Sequence, residues 1–515
     1  MNTLKTPLQS LANGRRSMIK GSLAAAMSAP FLLVSNRQQS HAAGIPQALP
    51  VEYTSPQSSP ADMDSLFELI KRTASNEALY KFLYSMPKGG DIHHHLGGGF
   101  LPDMWMAIAT DMQRNGGQIF YTRYRITSTR RHPLLSRPGV SHIFLWQTLN
   151  EKHYQSLDTA LQSDFKAMTN LTEAEQAAWK SSVVLDVAGE GRDEFFEYHW
   201  SRLWDLSRSI HVITELFVEN MKLFGAEGTR YLEIQRGAMG YRDPKGELIP
   251  SEIAEAYWKD RLAQPDAVAT GVKVRWQGVV IRFAPNAEDL VREWFAFIDQ
   301  NRDTWVGLNM AGREDNNKGY PSRFTKVYDE MLRKYPRIGQ SIHAGESEKP
   351  DSNIRDTLRL GATRIGHGIN LIWDEDTLLR MRDSRFLVEI NLISNELLDY
   401  VPDLDQHPFP VYLRQGVPCC LNTDDRGMWD TNFTDEFYVA VKRFNLSWDE
   451  LKTIAYNSFE HSFAEASLKS ELVADYESRL SSFEAQFSQS NWQSVVAGVP
   501  AITHGYGVKN LGLKL

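Results

Sequence analysis

Two histidines, spaced two residues apart, are the first side chains in this sequence that could bind a metal. His93 and His95 lie in the segment Asp91-Ile-His-His-His-Leu96. Alternate residues of a strand share a face, so these two imidazoles would project together while His94 points to the opposite side. Two imidazoles at a strand end suit Zn²⁺ or a similar divalent ion. The chain has 14 histidines, so this pair alone is a weak signal, and a structural histidine cluster stays open as the alternative.

Three later segments carry residues capable of metal binding or acid-base chemistry. His343 closes an apolar run, and the glycine between it and Glu346 allows a sharp turn that can bring the carboxylate to the same cavity. His367 lies between two glycines, which leaves room for a ligand. Asp424 and Asp425 follow another apolar run, which should keep them partly buried. Each is ordinary alone, since a lone histidine is usually structural and an aspartate pair usually caps a turn or helix.

Eight short apolar runs, each followed by a helix-like segment, could position these residues. They are Gly90–His93, Arg230–Ile234, Val272–Phe283, Trp305–Met310, Gly339–His343, Thr363–His367, Phe386–Ile390 and Val417–Asn422. Helical patterns between the later runs cover Ala287–Asn301, Arg323–Lys334, Ser352–Leu360 and Asp374–Asp383. The pattern favours an α/β fold, a (β/α)8 TIM barrel, with an open doubly wound sheet as the alternative. In a barrel the carboxyl ends of the strands surround one pocket, to which Gly312 after the fourth run would belong.

The remaining segments divide into an insertion and two ends. Residues 44–77 are predicted to be a linker and an N-terminal helix, 78–490 the barrel, and 491–515 a C-terminal tail. A long insertion over about residues 101–200 interrupts the barrel after the first strand and should pack as a small subdomain or lid. Its arginines form either a solvated face or an anion-binding surface; they are Arg123, Arg125, Arg130, Arg131 and Arg137.

Residues 1–43 have the plan of a bacterial export signal. They contain five basic residues and no acid: Arg15-Arg16-Ser-Met-Ile-Lys is followed by an apolar stretch and then by Ser40-His-Ala42. The paired arginines resemble a twin-arginine signal, and the apolar stretch is too short to be a permanent membrane anchor. A basic amphipathic surface helix is the alternative. The sequence therefore predicts a periplasmic or secreted protein.

Charge, cysteine count and absent motifs narrow the classes of protein. The net charge is −8, which disfavours nucleic acid as a partner. The two cysteines are adjacent, Cys419 and Cys420, and cannot form a disulfide framework. The sequence lacks H-E-x-x-H, G-x-S-x-G and a complete dinucleotide fingerprint. It also lacks the cysteine-ligated deaminase signature, because Pro418-Cys-Cys420 has the wrong spacing.

Taken in order, the motifs resemble those of a known family. Met86-Pro-Lys88 leads into His93-x-His95; His343-Ala-Gly-Glu346, Gly366-His-Gly368 and Asn422-Thr-Asp-Asp425 follow. This series is similar to the adenosine deaminase family of the metal-dependent amidohydrolase superfamily, over about residues 78–472. Four features look closest to the secreted adenosine deaminase-related growth factor branch. They are the Met-Pro-Lys-Gly-Gly segment before the first strand, the helix that precedes it, the long insertion and Asn457-Ser-Phe459.

The resemblance implies a hydrolase with one Zn²⁺ per chain that deaminates adenosine or 2′-deoxyadenosine. His93, His95, His343 and Asp424 would bind the metal. It also implies that His367 orients the attacking hydroxide, that Asp424 helps to accept its proton, and that Glu346 protonates ring nitrogen 1 of the purine. Asp425 would contact ring nitrogen 7, and the Gly312 amide would contact ring nitrogen 3.

Four positions depart from the family's pattern. Gly97 stands where cytosolic members have an aspartate that helps to hold the ribose; Asn309, Asn391 and Arg426 stand where Asp, Cys and Pro are common. None is an implied metal ligand, so the chemistry is better supported than the substrate. The alternatives are the same chemistry on another amino-purine or C–N bond, or a nucleoside-binding signalling protein. The insertion could be a lid or a contact in a homodimer.

Overall fold

A computed structural model describes residues 61–127, 143–316 and 318–515. The segment predicted to be an export signal and the following residues to 60 lie outside the described residues, as do Arg130, Arg131 and Arg137. The described residues belong to one compact unit.

Eight parallel strands form the barrel, in the order β1-β5-β6-β7-β8-β9-β10-β11. Their bounds are β1 Gly90–His95, β5 Tyr231–Arg236, β6 Lys273–Ile281, β7 Trp305–Ala311, β8 Gly339–Ala344, β9 Arg364–His367, β10 Leu387–Ile390 and β11 Cys419–Leu421. The ring closes just beyond β11, where His95 N–H donates to Asp424 O at 3.0 Å and Asp424 N–H donates to His93 O at 3.1 Å. The predicted (β/α)8 barrel is confirmed, and the open sheet is wrong because these two hydrogen bonds join the last strand to the first.

Helices surround the barrel and extend it at both ends. They are α1 Ala61–Thr73, α2 Asn76–Ser85, α3 Pro102–Thr110, α4 Glu151–Gln155, α5 Thr159–Gln162, α6 Glu173–Ser181, α7 Arg192–Glu194, α8 Trp200–Leu203, α9 Ile210–Ala226, α10 Ser251–Leu262, α11 Pro265–Val268, α12 Ala287–Gln300, α13 Thr325–Lys334, α14 Asn353–Arg359, α15 Glu375–Asp383, α16 Leu392–Leu397, α17 Phe409–Arg414, α18 Arg426–Trp429, α19 Phe433–Phe444, α20 Trp448–Glu460, α21 Ala466–Glu484, α22 Trp492–Ala497 and α23 Gly505–Lys509. The four helices predicted between the later strands correspond to α12–α15.

Amphipathic spacing explains how these helices cover the strands. In α12 the buried residues Val291, Trp294, Phe295 and Ile298 recur at intervals of three, one and three, which places them on one face. That face packs against β6 and β7. Complete burial of a side chain such as Phe295 stabilises the fold by about 1.5–3 kcal/mol.

The described part of the insertion contains a small antiparallel subdomain. Three short antiparallel strands, β2 Phe120–Arg123, β3 Thr148–Asn150 and β4 Phe165–Ala167, form a sheet in the order β3-β2-β4. The sheet has a small hydrophobic cluster of its own, formed by Ile143, Leu149, Leu157, Leu161, Phe165 and Trp204.

Neither of the roles expected for the insertion's arginines fits Arg123. It is 3% exposed, and its guanidinium donates to Asp164 at 2.8 Å. Arg125 donates to the Ser163 carbonyl at 2.8 Å. Arg123 therefore holds the subdomain together and is not available to an anionic ligand.

The two ends of the described chain are more ordered than their sequences predict. Two helices, α1 and α2, precede Pro87, and the Ser75 hydroxyl caps the second by accepting from Ala78 N–H at 3.1 Å. The predicted tail contains α22 and α23, and Trp492, Tyr506 and Leu513 are buried in the main core. Within residues 61–127, 143–316 and 318–515, no helix has the length and apolar character needed to cross a bilayer.

Candidate metal centre

Four predicted ligands meet at the mouth of the barrel. His93 Nε2 and His95 Nε2 lie 3.1 and 3.2 Å from His343 Nε2. Asp424 Oδ1 lies 3.4 Å from His93 Nε2 and 3.1 Å from His95 Nε2. Three residues come from β1 and β8, and the fourth follows β11, so the closure of the barrel itself brings them together.

These distances fit the coordination of one small cation. Ligand atoms about 2.0–2.1 Å from a tetrahedral metal are about 3.3 Å apart, which matches the observed spacing. Asp424 Oδ1 is buried and makes no hydrogen bond to any described residue, although two imidazole nitrogens face it. A bound cation would pair with this oxygen and with the three nitrogens at once.

A buried carboxylate supports His93 from behind. His93 Nδ1 donates to Glu389 Oε2 at 2.6 Å, and Arg364 Nε donates to Glu389 Oε1 at 2.5 Å. Burial alone would lower the pKa of His93, but the nearby carboxylates of Asp424 and Glu389 outweigh burial and raise the pKa to about 10. The two carboxylates therefore create a site that favours positive charge. Glu389 also fixes the ring so that Nε2 faces the centre.

Asn309 performs the equivalent role for His343. Its Oδ1 accepts from His343 Nδ1 at 2.8 Å, and its Nδ2 donates to Ser341 Oγ at 3.1 Å. Burial lowers the pKa of His343 well below its usual value, which keeps the imidazole neutral as a metal ligand must be. The asparagine at this position thus preserves the orientation of the ligand without adding a charge.

Two functional candidates adopt a left-handed backbone conformation. His367 has φ of 64° and Asp424 has φ of 53°. Side chains other than glycine, asparagine and aspartate rarely adopt this region, and such strain concentrates at functional sites. His367 is the last residue of β9, Asp424 lies three residues after the end of β11, and both line the cavity.

His367 is held by a chain of hydrogen bonds that sequence reasoning missed. Phe409 N–H donates to His407 Nδ1 at 3.1 Å, so His407 Nε2–H donates to Asn395 Oδ1 at 3.1 Å. Asn395 Nδ2 then donates to His367 Nδ1 at 3.0 Å. Because Nδ1 accepts, the proton of a neutral His367 lies on Nε2, which faces Glu346 Oε1 at 3.6 Å. Burial lowers the pKa of His367 to about 3, so the ring is neutral.

Asn391 contacts the same ring. Its Nδ2 lies 3.2 Å from His367 Nδ1. The asparagine found in place of the common cysteine is therefore a second amide that faces this nitrogen.

Glu346 lies in the turn after β8, as its spacing from His343 predicted. Glu314 fixes the turn by accepting from Gly345 N–H at 3.2 Å and from Glu346 N–H at 3.0 Å. Burial, together with repulsion from Asp424 and Glu314, raises the pKa of Glu346 well above its usual value. The buried carboxyl is thus kept protonated and can act as an acid. Glu314 is a further residue that the sequence analysis missed.

Asp425 and Gly312 lie in the walls of the same cavity. Asp425 Oδ1 is buried and makes no hydrogen bond to a described residue. Burial and the neighbouring Asp424 raise the pKa of Asp425 well above its usual value, so it too is a potential donor. Gly312 has φ of 98°, and a Cβ there would lie 2.9 Å from the Phe283 ring. Glycine is required at that turn for both reasons.

The cavity has a volume of about 600 Å³, enough for a drug-sized ligand. The insertion supplies one wall through Phe195, Trp200 and Trp204, with Phe195 in a π-helical turn, Phe195–His199. A Cβ at Gly97 would lie 2.9 Å from Trp200 Cζ3. The missing side chain at Gly97 therefore makes room for an indole above His95.

Arg426 takes no part in the cavity wall. It is fully buried, and its guanidinium donates to Glu227 at 3.0 Å and lies over the Phe224 ring at 4.3 Å. This departure from the family's pattern is structural.

Comparison with known proteins assigns the chain to a family. Residues 170–477 match the family described as adenosine deaminase. This match spans more than half of the chain, and the chain belongs to the adenosine deaminase family. The matched residues begin after β1, so the roles of His93 and His95 depend on the geometry described above.

The curated relatives are named for two different activities, adenine deaminase and adenosine deaminase. An adenine deaminase from Chelativorans sp. is 30% identical over 207 residues, which cover 40% of this chain and 62% of that protein. An adenosine deaminase from Enterococcus faecalis is 28% identical over 245 residues, which cover 46% of this chain and 67% of that protein. The chain thus aligns with about two thirds of each of these relatives.

A solved structure supports the fold over a longer stretch. The crystal structure of an adenine deaminase from Arthrobacter aurescens superposes with a TM-score of 0.55 at 21% identity. It covers 77% of this chain and 99% of that protein. The shared part is the barrel fold.

Proposed function

We propose that this protein hydrolyses the C–N bond to the amino group of adenosine or 2′-deoxyadenosine and gives inosine or 2′-deoxyinosine and ammonia. The observation that carries the proposal is a single cavity with four convergent metal ligand atoms at its base. A buried carboxyl with a raised pKa, Glu346, lies in the same cavity. Metal-assisted attack on an aromatic C–N bond needs both features.

We propose Zn²⁺ as the metal, one per chain, bound by His93, His95, His343 and Asp424. Three imidazole nitrogens and one carboxylate are a donor set that zinc accepts readily. When bound, zinc lowers the pKa of water to about 7 and so supplies hydroxide at neutral pH.

The surrounding residues have separate roles in this proposal. The His367 Nε2–H group orients the attacking oxygen, and the Asp424 carboxylate helps to accept its proton. The Glu346 carboxyl donates its proton to ring nitrogen 1, which draws electron density away from the carbon under attack. The Asp425 carboxyl donates to ring nitrogen 7, and the Gly312 amide faces ring nitrogen 3. Departure of ammonia leaves a hypoxanthine base.

Adenine is the second candidate substrate, because one relative is named an adenine deaminase. The size of the cavity favours a nucleoside, which is larger than a free base. Purified protein is assayed for ammonia release from adenosine, 2′-deoxyadenosine, adenine and AMP. Release from the two nucleosides above all others supports the proposal. Ammonia release from adenine alone would mean that the substrate is the free base and that the proposed chemistry still holds. No ammonia release from any of the four compounds would contradict both the substrate and the chemistry.

One variant distinguishes the proposed enzyme from a signalling protein that only binds nucleosides. Glu346→Gln should lower turnover about 10²- to 10⁴-fold and leave metal binding intact. A cellular effect of the protein that survives this change would favour the binding role.

We further propose that residues 1–43 direct the protein to the periplasm. Replacing Arg15 and Arg16 by lysine should retain the protein in the cytoplasm, as measured by cell fractionation and immunoblotting. Unchanged export of this variant would contradict the twin-arginine route.

A further inference from the structure

Gln235 lies at the carboxyl end of β5, directly beside the metal centre. Its Cα is paired in register with that of His95, and its carbonyl accepts from Leu96 N–H at 3.0 Å. Two residues earlier on the same face, Glu233 accepts hydrogen bonds inside the barrel from Gln277 at 2.9 Å and from Arg364 at 2.6 Å. Gln235 is therefore one layer nearer the mouth, where it lines the cavity.

The amide of Gln235 is buried and unused. The residue is 2% exposed, and neither Nε2 nor Oε1 has a hydrogen-bond partner among the described residues. Leaving the polar atoms of a buried amide without hydrogen-bond partners destabilises the protein. A ligand that offers both a donor and an acceptor at this position would satisfy it.

The wall next to Gln235 offers no side-chain hydrogen-bonding group at Gly97. Gly97 has no side chain, and Trp200 occupies the adjacent space. Gln235 is next to this gap, because its carbonyl bonds the residue that precedes Gly97. A hydroxyl both donates and accepts, so it matches the two free functions of an amide.

We propose that Gln235 binds a hydroxyl group of the substrate's sugar and is the residue that selects a purine nucleoside over the free base. This inference rests on the proposed function, since it takes the purine to be held at the metal centre.

The experiment replaces the amide by an apolar side chain of the same length, Gln235→Met. KM for adenosine should rise roughly tenfold, because one hydrogen bond to an uncharged group is lost. The kcat for adenosine and the kcat/KM for adenine should change less than about twofold. The melting temperature of the free protein should stay the same or rise, because the substitution removes two unsatisfied buried polar atoms.

Gln340→Met is the matched control. Gln340 is also 2% exposed on a barrel strand and has an unsatisfied Oε1, but it lies outside the cavity wall. It should leave both substrates unaffected. An unchanged KM for adenosine in Gln235→Met would overturn the inference, as would an equal loss on adenosine and adenine.

Binding of the products separates this inference from the proposed function. Calorimetry measures the affinities of inosine and hypoxanthine for the metal-loaded wild type and for Gln235→Met. A protein that deaminates no purine refutes the proposed function, yet a selective loss of inosine affinity of roughly tenfold would still support the role of Gln235. Equal affinities for inosine in the two proteins would reject that role whatever the turnover.

Discussion

The two sides of the cavity are built in different ways. The metal side consists of residues at or just beyond strand ends, and two of them, His93 and His343, donate buried hydrogen bonds to Glu389 and Asn309. The opposite side consists of aromatic rings from the insertion, among them Trp200, packed edge-on against His95 with ring centroids 6.4 Å apart. The barrel therefore fixes the chemistry, while the insertion shapes the space available to the substrate.

The largest effect should come from removing a ligand on the metal side. Asp424→Ala deletes the only carboxylate among the four described ligands and leaves three imidazoles. We expect kcat/KM to fall by at least about 10³-fold, because a bound metal contributes several kcal/mol to the transition state. Steady-state ammonia assays check this. Retention of more than a tenth of the wild-type activity would show that the metal side does not supply the chemistry.

Glu346→Gln removes the acid and keeps the shape of the side chain. Turnover should fall about 10²- to 10⁴-fold, the usual contribution of a general acid. The metal content should stay that of the wild type, because Glu346 is not one of the four ligands. If the metal were lost together with activity, Glu346 would be part of the metal site and its role as an acid would be wrong.

Asn395→Leu tests the hydrogen-bond chain behind His367. Without the Asn395 amide, Nδ1 of His367 loses a donor and the ring is free to change tautomer or orientation. We expect kcat to fall about 10- to 100-fold, as is typical when the partner of an active-site histidine is removed. KM and the metal content should change little. A change in KM alone would mean that Asn395 shapes the cavity and does not orient His367.

The smallest effect is expected on the insertion side. Trp200→Ala should raise KM for adenosine about three- to tenfold and leave kcat unchanged, because an aromatic contact contributes about 0.5–1.5 kcal/mol. Trp373→Ala is the matched control, since Trp373 is 68% exposed and lies outside the cavity wall. A loss of kcat larger than the rise in KM would show that the insertion also takes part in the chemistry.

The metal side could be predicted from the sequence because its signals are local. His343 and His367 each end an apolar run that predicts a strand, and Asp424 closely follows another. Barrel topology brings strand ends together whatever the distance along the chain. The same rule could have found Gln235, which follows the predicted strand Arg230–Ile234.

The insertion side and the support of His367 could not be predicted in this way. Asn395 and His407 are ordinary polar residues in and beyond a short helix, and no spacing marks them. Their role depends on how α16 returns over the barrel mouth. The position of Trp200 likewise depends on tertiary packing, because a tryptophan in an amphipathic segment is more often part of a core.

Metal analysis of the purified protein, prepared without a histidine tag, tests the central claim most directly. We expect one zinc per chain in the wild type and much less than one zinc per chain in His343→Ala, with both proteins folded. Wild-type protein without a stoichiometric divalent metal, or a His343→Ala variant that retains it, would contradict the account.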